Sequence, residues 1–242
     1  MRKPDDGLWK LTGLIIDRIM PVLRSGIDPA MFDSVFGLER KREPKPRASL
    51  TPRERYWVSW FYEIQEIHTS INRLREALVY LGHYPQAKEF RFHRISQATW
   101  IRYHVEMYLQ EEYILFNRLR RLLQRLRRTA LRAHNQRGAD LAGNLSTWVS
   151  QAFGPVVVTR GTHVHVDRFD DKELRDLDTL VLLTARGKGK LRALMPLRRL
   201  REYMTQTFWT DKLSQSNKTI HEVCARLFDE ITVVLVACEP RS

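Results

Sequence analysis

The chain has 242 residues, of which 41 are Lys or Arg and 28 are Asp or Glu, a formal net charge of +13. With 43% hydrophobic residues it is too apolar for a disordered protein. Its longest apolar run free of charge, Val233–Cys238, falls far short of the ~20 residues that span a bilayer, and its two cysteines, Cys224 and Cys238, can build neither a disulfide framework nor a cysteine zinc site. The short run Leu14-Ile15-Ile16 is closed by Asp17, so no secretory leader is expected and a reducing, cytoplasmic home is predicted. The sequence pI of about 10.1 favours a polyanionic partner, with nucleic acid first and an acidic protein or membrane surface behind it, while the short apolar run predicts no membrane span.

Taken in order, residues 1–50 read as an N-terminal helix over Leu8–Leu23, stopped near Pro21, followed by a charged, proline-bearing linker over Glu39–Ser49. A helical bundle domain is expected over 51–242. It opens at Thr51-Pro52-Arg53-Glu54, where Thr51 and Glu54 have the spacing of a capping box and Pro52 suits the first helical position. Trp57, Trp60, Ile64, Ile67, Ile71, Leu74, Leu78 and Leu81 then step by threes and fours, the stripe of a long amphipathic helix ended by Gly82 and Pro85.

A second long helix is predicted from the cap Ser96 to about Asn135. Its stripe is Ile101, Val105, Tyr108, Glu112, Leu115, Leu119, Leu122 and Leu126, with a carboxylate set in the leucine seam. Gly138 and Gly143 bracket the expected turn, and a shorter helix covers Ala139–Phe153. The β-branched, alternating segment 156–166 reads as extended chain or a small hairpin. A helix over Asp170–Ala185 follows, then a basic loop at Gly187 and Gly189. The last helical region, Pro196–Cys238, carries Leu197, Leu200, Met204 and Phe208 and then Ile220, Val223, Leu227, Ile231 and Val234, with a kink or break expected at Ser214-Gln215-Ser216-Asn217. The fold class is therefore all-α, a long-helix bundle with one short extended segment.

The positive charge is concentrated. Arg118–Arg137 and Arg186–Arg201 contain no acidic residue. On the long helix Arg118, Arg121, Arg125, Arg128 and Arg132 step by threes and fours beside the leucine seam, a spacing suited to tracking a phosphate backbone. Arg186, Lys188 and Lys190 make a second candidate contact. The bland alternative is a solvated face whose arginines pair with acidic residues on other helices.

Arg160-Gly161-Thr162-His163-Val164-His165 brings together a group that neutralises phosphoryl charge and groups that move protons near neutral pH. His163 and His165, with Asp167 and Asp170 nearby, also have the alternation of a metal site, a weaker reading because no further ligand pattern supports it; no cofactor or metal is expected. Long helices with an R-x4-H segment at a helix boundary resemble the HEPN superfamily, whose all-helical domains include metal-independent endoribonucleases, among them components of defence and toxin-type systems. The resemblance spans about Thr51–Cys238. It implies an RNA substrate, catalysis by Arg160 and His165 at a composite site in a homodimer, and a protein regulator as a further partner. Gly161 stands where family members carry a polar residue, and His163 is the group at hand to replace it. Glu112, or its neighbour Glu111, is then an orienting carboxylate. The rival reading is a non-catalytic helical module that binds nucleic acid or an acidic protein.

Overall fold

A computed structural model describes residues 6–26, 51–85, 93, 95–154, 171–186 and 189–240. The elements are α1 (Asp6–Gly26), α2 (Pro52–Gly82), α3 (Gln97–Arg132), α4 (Gln136–Ala152), α5 (Lys172–Arg186), a 3-10 stretch over Gly189–Leu194, and α6 (Met195–Ala237). No strand occurs among the described residues, so the all-α class holds. The expected extended segment 156–166 and the linker Glu39–Ser49 lie outside the described residues.

Local chemistry explains where the helices start and stop. At α2 both halves of the capping box form: the Thr51 amide donates to the Glu54 carboxylate at 2.7 Å, and the Glu54 amide donates to Thr51 Oγ1 at 3.2 Å. Ser96 caps α3 through the Thr99 amide at 3.1 Å. α3 ends in a tight turn over residues 133–135. His134 takes the left-handed position there at φ 56°, and the Asn135 amide reaches back to the Ala130 carbonyl at 2.8 Å. Asn135 in turn caps α4, accepting from the Gly138 amide at 2.9 Å.

That geometry corrects the expected turn at Gly138 and Gly143, both of which lie inside α4. Gly138 is required for closeness instead: a Cβ there would lie 3.0 Å from a Val234 methyl and 2.8 Å from the Asn135 amide nitrogen. α1 continues past Pro21 to Gly26, since a proline removes one backbone donor and bends a helix without always ending it. α6 is unbroken through Ser214–Asn217, where Ser216 donates its hydroxyl to Glu112. The basic loop after α5 contains the 3-10 stretch.

By contacts the chain forms two compact units: Met1–Glu66 with Arg121–Ser146 and Cys224–Ser242, and Ile67–Arg120 with Thr147–Val223. In the first, Leu8, Leu11, Ile15 and Ile19 of α1 are buried with Trp57, Trp60, Leu122, Leu126, Leu227, Ile231 and Val234. α1 and α6 cross closely, a Cβ on Gly7 falling 2.2 Å from the Ala225 carbonyl oxygen. Glu239 ties this unit together: Trp57 Nε1 donates to it at 2.5 Å, Arg53 pairs with the same oxygen, and Arg18 lies 3.9 Å from the other.

In the second unit the core is Ile67, Ile71, Leu74, Leu81, Ile101, Val105, Tyr108, Leu115, Phe116, Leu119, Leu174, Leu177, Trp209 and Leu213. One expected stripe is displaced. Leu197, Leu200, Met204 and Phe208 are 50%, 55%, 50% and 44% exposed, while Thr205, Trp209 and Leu213 are buried. This half of α6 is apolar on more than one side, and packing selects the face carrying the Trp209 ring.

Candidate nucleic-acid interface

The arginines of α3 share a spacing but not an environment. In the second unit Arg118 is half-buried, donating to Ser70 Oγ at 2.5 Å and lying 3.7 Å from Glu111. Ser70 in turn donates its hydroxyl hydrogen bond to Glu111 at 2.6 Å, and Arg73 stands 3.6 Å from the same carboxylate. Arg118 therefore holds a buried carboxylate of its own helix and is not free to bind phosphate.

In the first unit Arg125 is likewise committed. Its guanidinium lies 4.2 Å from the centroid of the Trp60 ring, and it pairs with Glu63. Nη1 donates to the Ser59 carbonyl at 3.0 Å and Nη2 to Ser59 Oγ at 2.6 Å. Arg121, Arg128 and Arg132 are exposed and make no ion pair among the described residues. Arg128 and Arg132, four residues apart and so on one helix face, stand at the rim of a concavity of about 450 Å³. Tyr56, Trp60, Arg125 and Thr129 complete its walls. Tyr56 is fixed there by donating its hydroxyl to the Leu235 carbonyl at 2.8 Å, and burial pushes its phenol well above the ordinary range, so it stays a neutral donor.

Trp60 has the packing role that its place in the α2 stripe predicts, being 1% exposed, while Tyr56, four residues earlier and half-buried, is the aromatic residue the stripe does not point to. The second basic stretch is partly neutralised: Arg198 pairs with Glu202 at 2.9 Å, and Arg201 with Glu173 at 2.9 Å and Asp176 at 3.1 Å. Of the candidate contacts in that stretch, Arg186 ends α5 and Lys190 lies in the 3-10 stretch, while Lys188 lies outside the described residues.

The catalytic candidates divide in the same way. Arg160, His163 and His165 lie outside the described residues, with Gly161, Asp167 and Asp170. Glu112 is described and is buried in the leucine seam, 3% exposed. Its contact is with Ser216, which donates at 2.8 Å; Arg118 pairs with Glu111. Burial pushes the Glu112 carboxyl up to about 7, the Ser216 hydrogen bond opposing it. Neighbouring Glu111 and Glu112 thus occupy opposite environments, one ringed by arginines and one able to carry a proton near neutrality.

His104 is buried beside Trp100, its ring centroid 4.2 Å away, and burial holds its imidazole below the ordinary value, a packing role. Among the described residues no group of three His, Cys, Asp or Glu could hold a metal ion. No helix among them is long and apolar enough to cross a membrane. No protein-family model, no curated protein and no solved structure matches this chain.

Proposed function

We propose that this chain acts on RNA. In this reading the exposed arginines of α3 hold the phosphate backbone, and the Arg160/His165 segment cleaves it without metal, in the manner its resemblance to the HEPN superfamily implies. The observation that carries the binding half is the run of exposed arginines without ion pairs, Arg121, Arg128 and Arg132, on one length of α3. A guanidinium with no carboxylate partner is available to a phosphate oxygen, and releasing counterions from the nucleic acid supplies the free energy.

The chemistry proposed for the second half is transesterification within the RNA. The 2′-hydroxyl oxygen bonds to the adjacent phosphorus as the bond from phosphorus to the 5′-oxygen breaks, leaving a 2′,3′-cyclic phosphate and a 5′-hydroxyl. One proton leaves the 2′-oxygen and one arrives at the departing 5′-oxygen. His165 is the proton-transfer residue, Arg160 stabilises the phosphorane, and His163 and Glu112 support them. The homodimer belongs to this proposal too, and the exposed apolar stripe Leu197, Leu200, Met204 and Phe208 supports it.

Incubating the wild-type chain and His165→Ala with structured RNA in EDTA tests the catalytic half. Cleavage by the wild type alone is expected, and equal degradation by both variants defeats it. Binding without cleavage by either favours the non-catalytic RNA-binding module, which the same arginines serve equally well. The binding half predicts that log K falls with log salt with a slope of about −2 to −3, and that each of Arg121→Gln, Arg128→Gln and Arg132→Gln makes it shallower by about 1. A salt-insensitive interaction removes the phosphate track.

A further inference from the structure

The concavity bounded by Tyr56, Trp60, Arg125, Arg128, Thr129 and Arg132 is a different kind of feature from a row of charges on a helix. A backbone track needs only spaced guanidiniums over a convex face. Here three arginines and a hydroxyl share one half-open concavity of about 450 Å³ with the side chains of Tyr56 and Trp60. That volume lies within the ordinary range of small-molecule sites, roughly 300–1,000 Å³.

We propose that this concavity binds a phosphate monoester carried on a nucleotide, at the phosphorylated end of an RNA strand. The assignment rests on the RNA reading above and adds to it a second, end-specific contact.

Charge balance argues for a monoester. Arg125 is offset by Glu63, whereas Arg128 and Arg132 have no acidic partner among the described residues. The site therefore presents two uncompensated positive charges. A bridging phosphodiester carries one negative charge, while a terminal phosphate carries about −1.5 to −2 at neutral pH and matches the site.

Preorganisation argues in the same direction. Arg125 is held from three sides by the Ser59 carbonyl, Ser59 Oγ and Glu63, with its plane against Trp60. Of the five N–H donors of a guanidinium, those contacts engage three. The remaining two belong to a side chain already fixed, so a ligand that accepts from them need not order it. Thr129 lies between Arg128 and Arg132 in sequence and adds a neutral hydroxyl donor to the same wall.

The exposed part of Tyr56 argues for an organic carrier. Inorganic phosphate would leave that ring without a use, whereas a ribose or base attached to the phosphate covers it; Trp60 is 1% exposed and lies beneath the Arg125 guanidinium, so it supports that arginine and not the ligand. Tyr56 is only half-buried and held in place through Leu235, a rigid surface for that contact.

The test uses the full chain carrying His165→Ala, so that labelled RNA stays intact. A 3′-fluorescein single-stranded RNA is titrated by anisotropy in two forms, one with a 5′-phosphate and one with a 5′-hydroxyl, with AMP, adenosine, inorganic phosphate and poly-glutamate as competitors. The phosphorylated strand is expected to bind about tenfold more tightly. Arg128→Gln and Arg132→Gln each bring it down to the level of the hydroxyl strand. Arg121→Gln, outside the concavity, weakens both strands equally. AMP raises the melting temperature of the parent protein and not of Arg128→Gln, and adenosine raises neither.

Equal affinity for the two strands, with Arg128→Gln behaving as Arg121→Gln does, overturns the pocket and leaves the RNA track standing. AMP protection that depends on Arg128 in a protein that binds no RNA overturns the RNA reading and keeps the nucleotide pocket. Competition by inorganic phosphate or poly-glutamate as effective as that of AMP overturns the nucleotide assignment in favour of a general anion or acidic-peptide site.

Discussion

The guanidinium of Arg125 lies 4.2 Å from the centre of the Trp60 ring and bonds on its other edges to Ser59 and Glu63, while Arg128, one helical turn further on, is exposed and makes no ion pair among the described residues. Two arginines three residues apart on α3 thus do different work. The first fixes α2 to α3, and the second is available to solvent and ligand.

The two roles separate experimentally. Arg125→Ala leaves Glu63 and the Ser59 acceptors without their donor, one Glu63 oxygen being buried and without a hydrogen bond even in the intact protein. The expected loss is about 1–3 kcal/mol in urea denaturation. Arg128→Ala and Arg132→Ala should stay within roughly 0.5 kcal/mol of the parent and lose RNA affinity. Equal destabilisation by all three would contradict the division of roles.

Glu239 supports a second prediction. Burial works to raise its carboxyl, but hydrogen bonds from Arg53 and Trp57, with Arg18 nearby, outweigh that and hold it below the usual range. A depressed folded value contributes stability above the unfolded value, and that contribution disappears as pH falls through the folded one. Glu239→Ala removes it and strands the buried Trp57 indole donor, a cost of about 1–3 kcal/mol near neutrality. The cost should shrink in acid, read by denaturation at pH 7 and near pH 3.

These cases show what the sequence could and could not convey. The capping box at Thr51 and Glu54 and the buried stripe from Trp57 to Leu81 were legible because partners three or four residues apart meet on any helix. The buried position of Glu112 followed from the same periodicity. The difference between Arg125 and Arg128 did not, because it depends on Glu63 and Ser59, more than sixty residues away in sequence. The face of α6 around Met204 was misread for a related reason. With Leu197, Leu200 and Phe208 on one side and Trp209 and Leu213 on another, periodicity alone offers two answers. The chemistry proposed for Arg160 and His165 rests on the motif and its resemblance, since both residues lie outside the described residues.

Glu112 predicts the opposite pH trend from Glu239. Its carboxyl is raised from 4.5 to about 7 by burial, with Ser216 as hydrogen-bond donor and the neutral phenol of Tyr108 near it. Between those values the folded state keeps a proton that the unfolded state has released, so stability falls as pH rises from 4.5 through 7. The full effect is on the order of 3 kcal/mol. Glu112→Gln keeps the shape and cannot ionise. It should match the parent near pH 4.5 and exceed it in stability at pH 8, by urea denaturation at both values. A variant less stable than the parent at pH 8 would mean that the ionised carboxylate is the stabilising form.

The exposed stripe of α6 bears on assembly. Leu197, Leu200, Met204 and Phe208 recur at intervals of three and four, so one face of the helix presents four large apolar side chains to solvent, with Tyr203 beside them at 66% exposure. Soluble monomers rarely expose a contiguous apolar face of this kind, because every such side chain covered by a partner gains the free energy of leaving water. If a second copy covers it, the double substitution Leu200→Glu with Met204→Glu places two like charges inside a symmetric interface, where each faces its own counterpart. Sedimentation equilibrium should then report half the parent mass. Protomer stability should remain within about 1 kcal/mol, because neither side chain belongs to the buried core. A parent chain that sediments as a monomer at every concentration would remove the homodimer from the proposal. The α3 concavity, formed within one chain, would keep its nucleotide preference in that case.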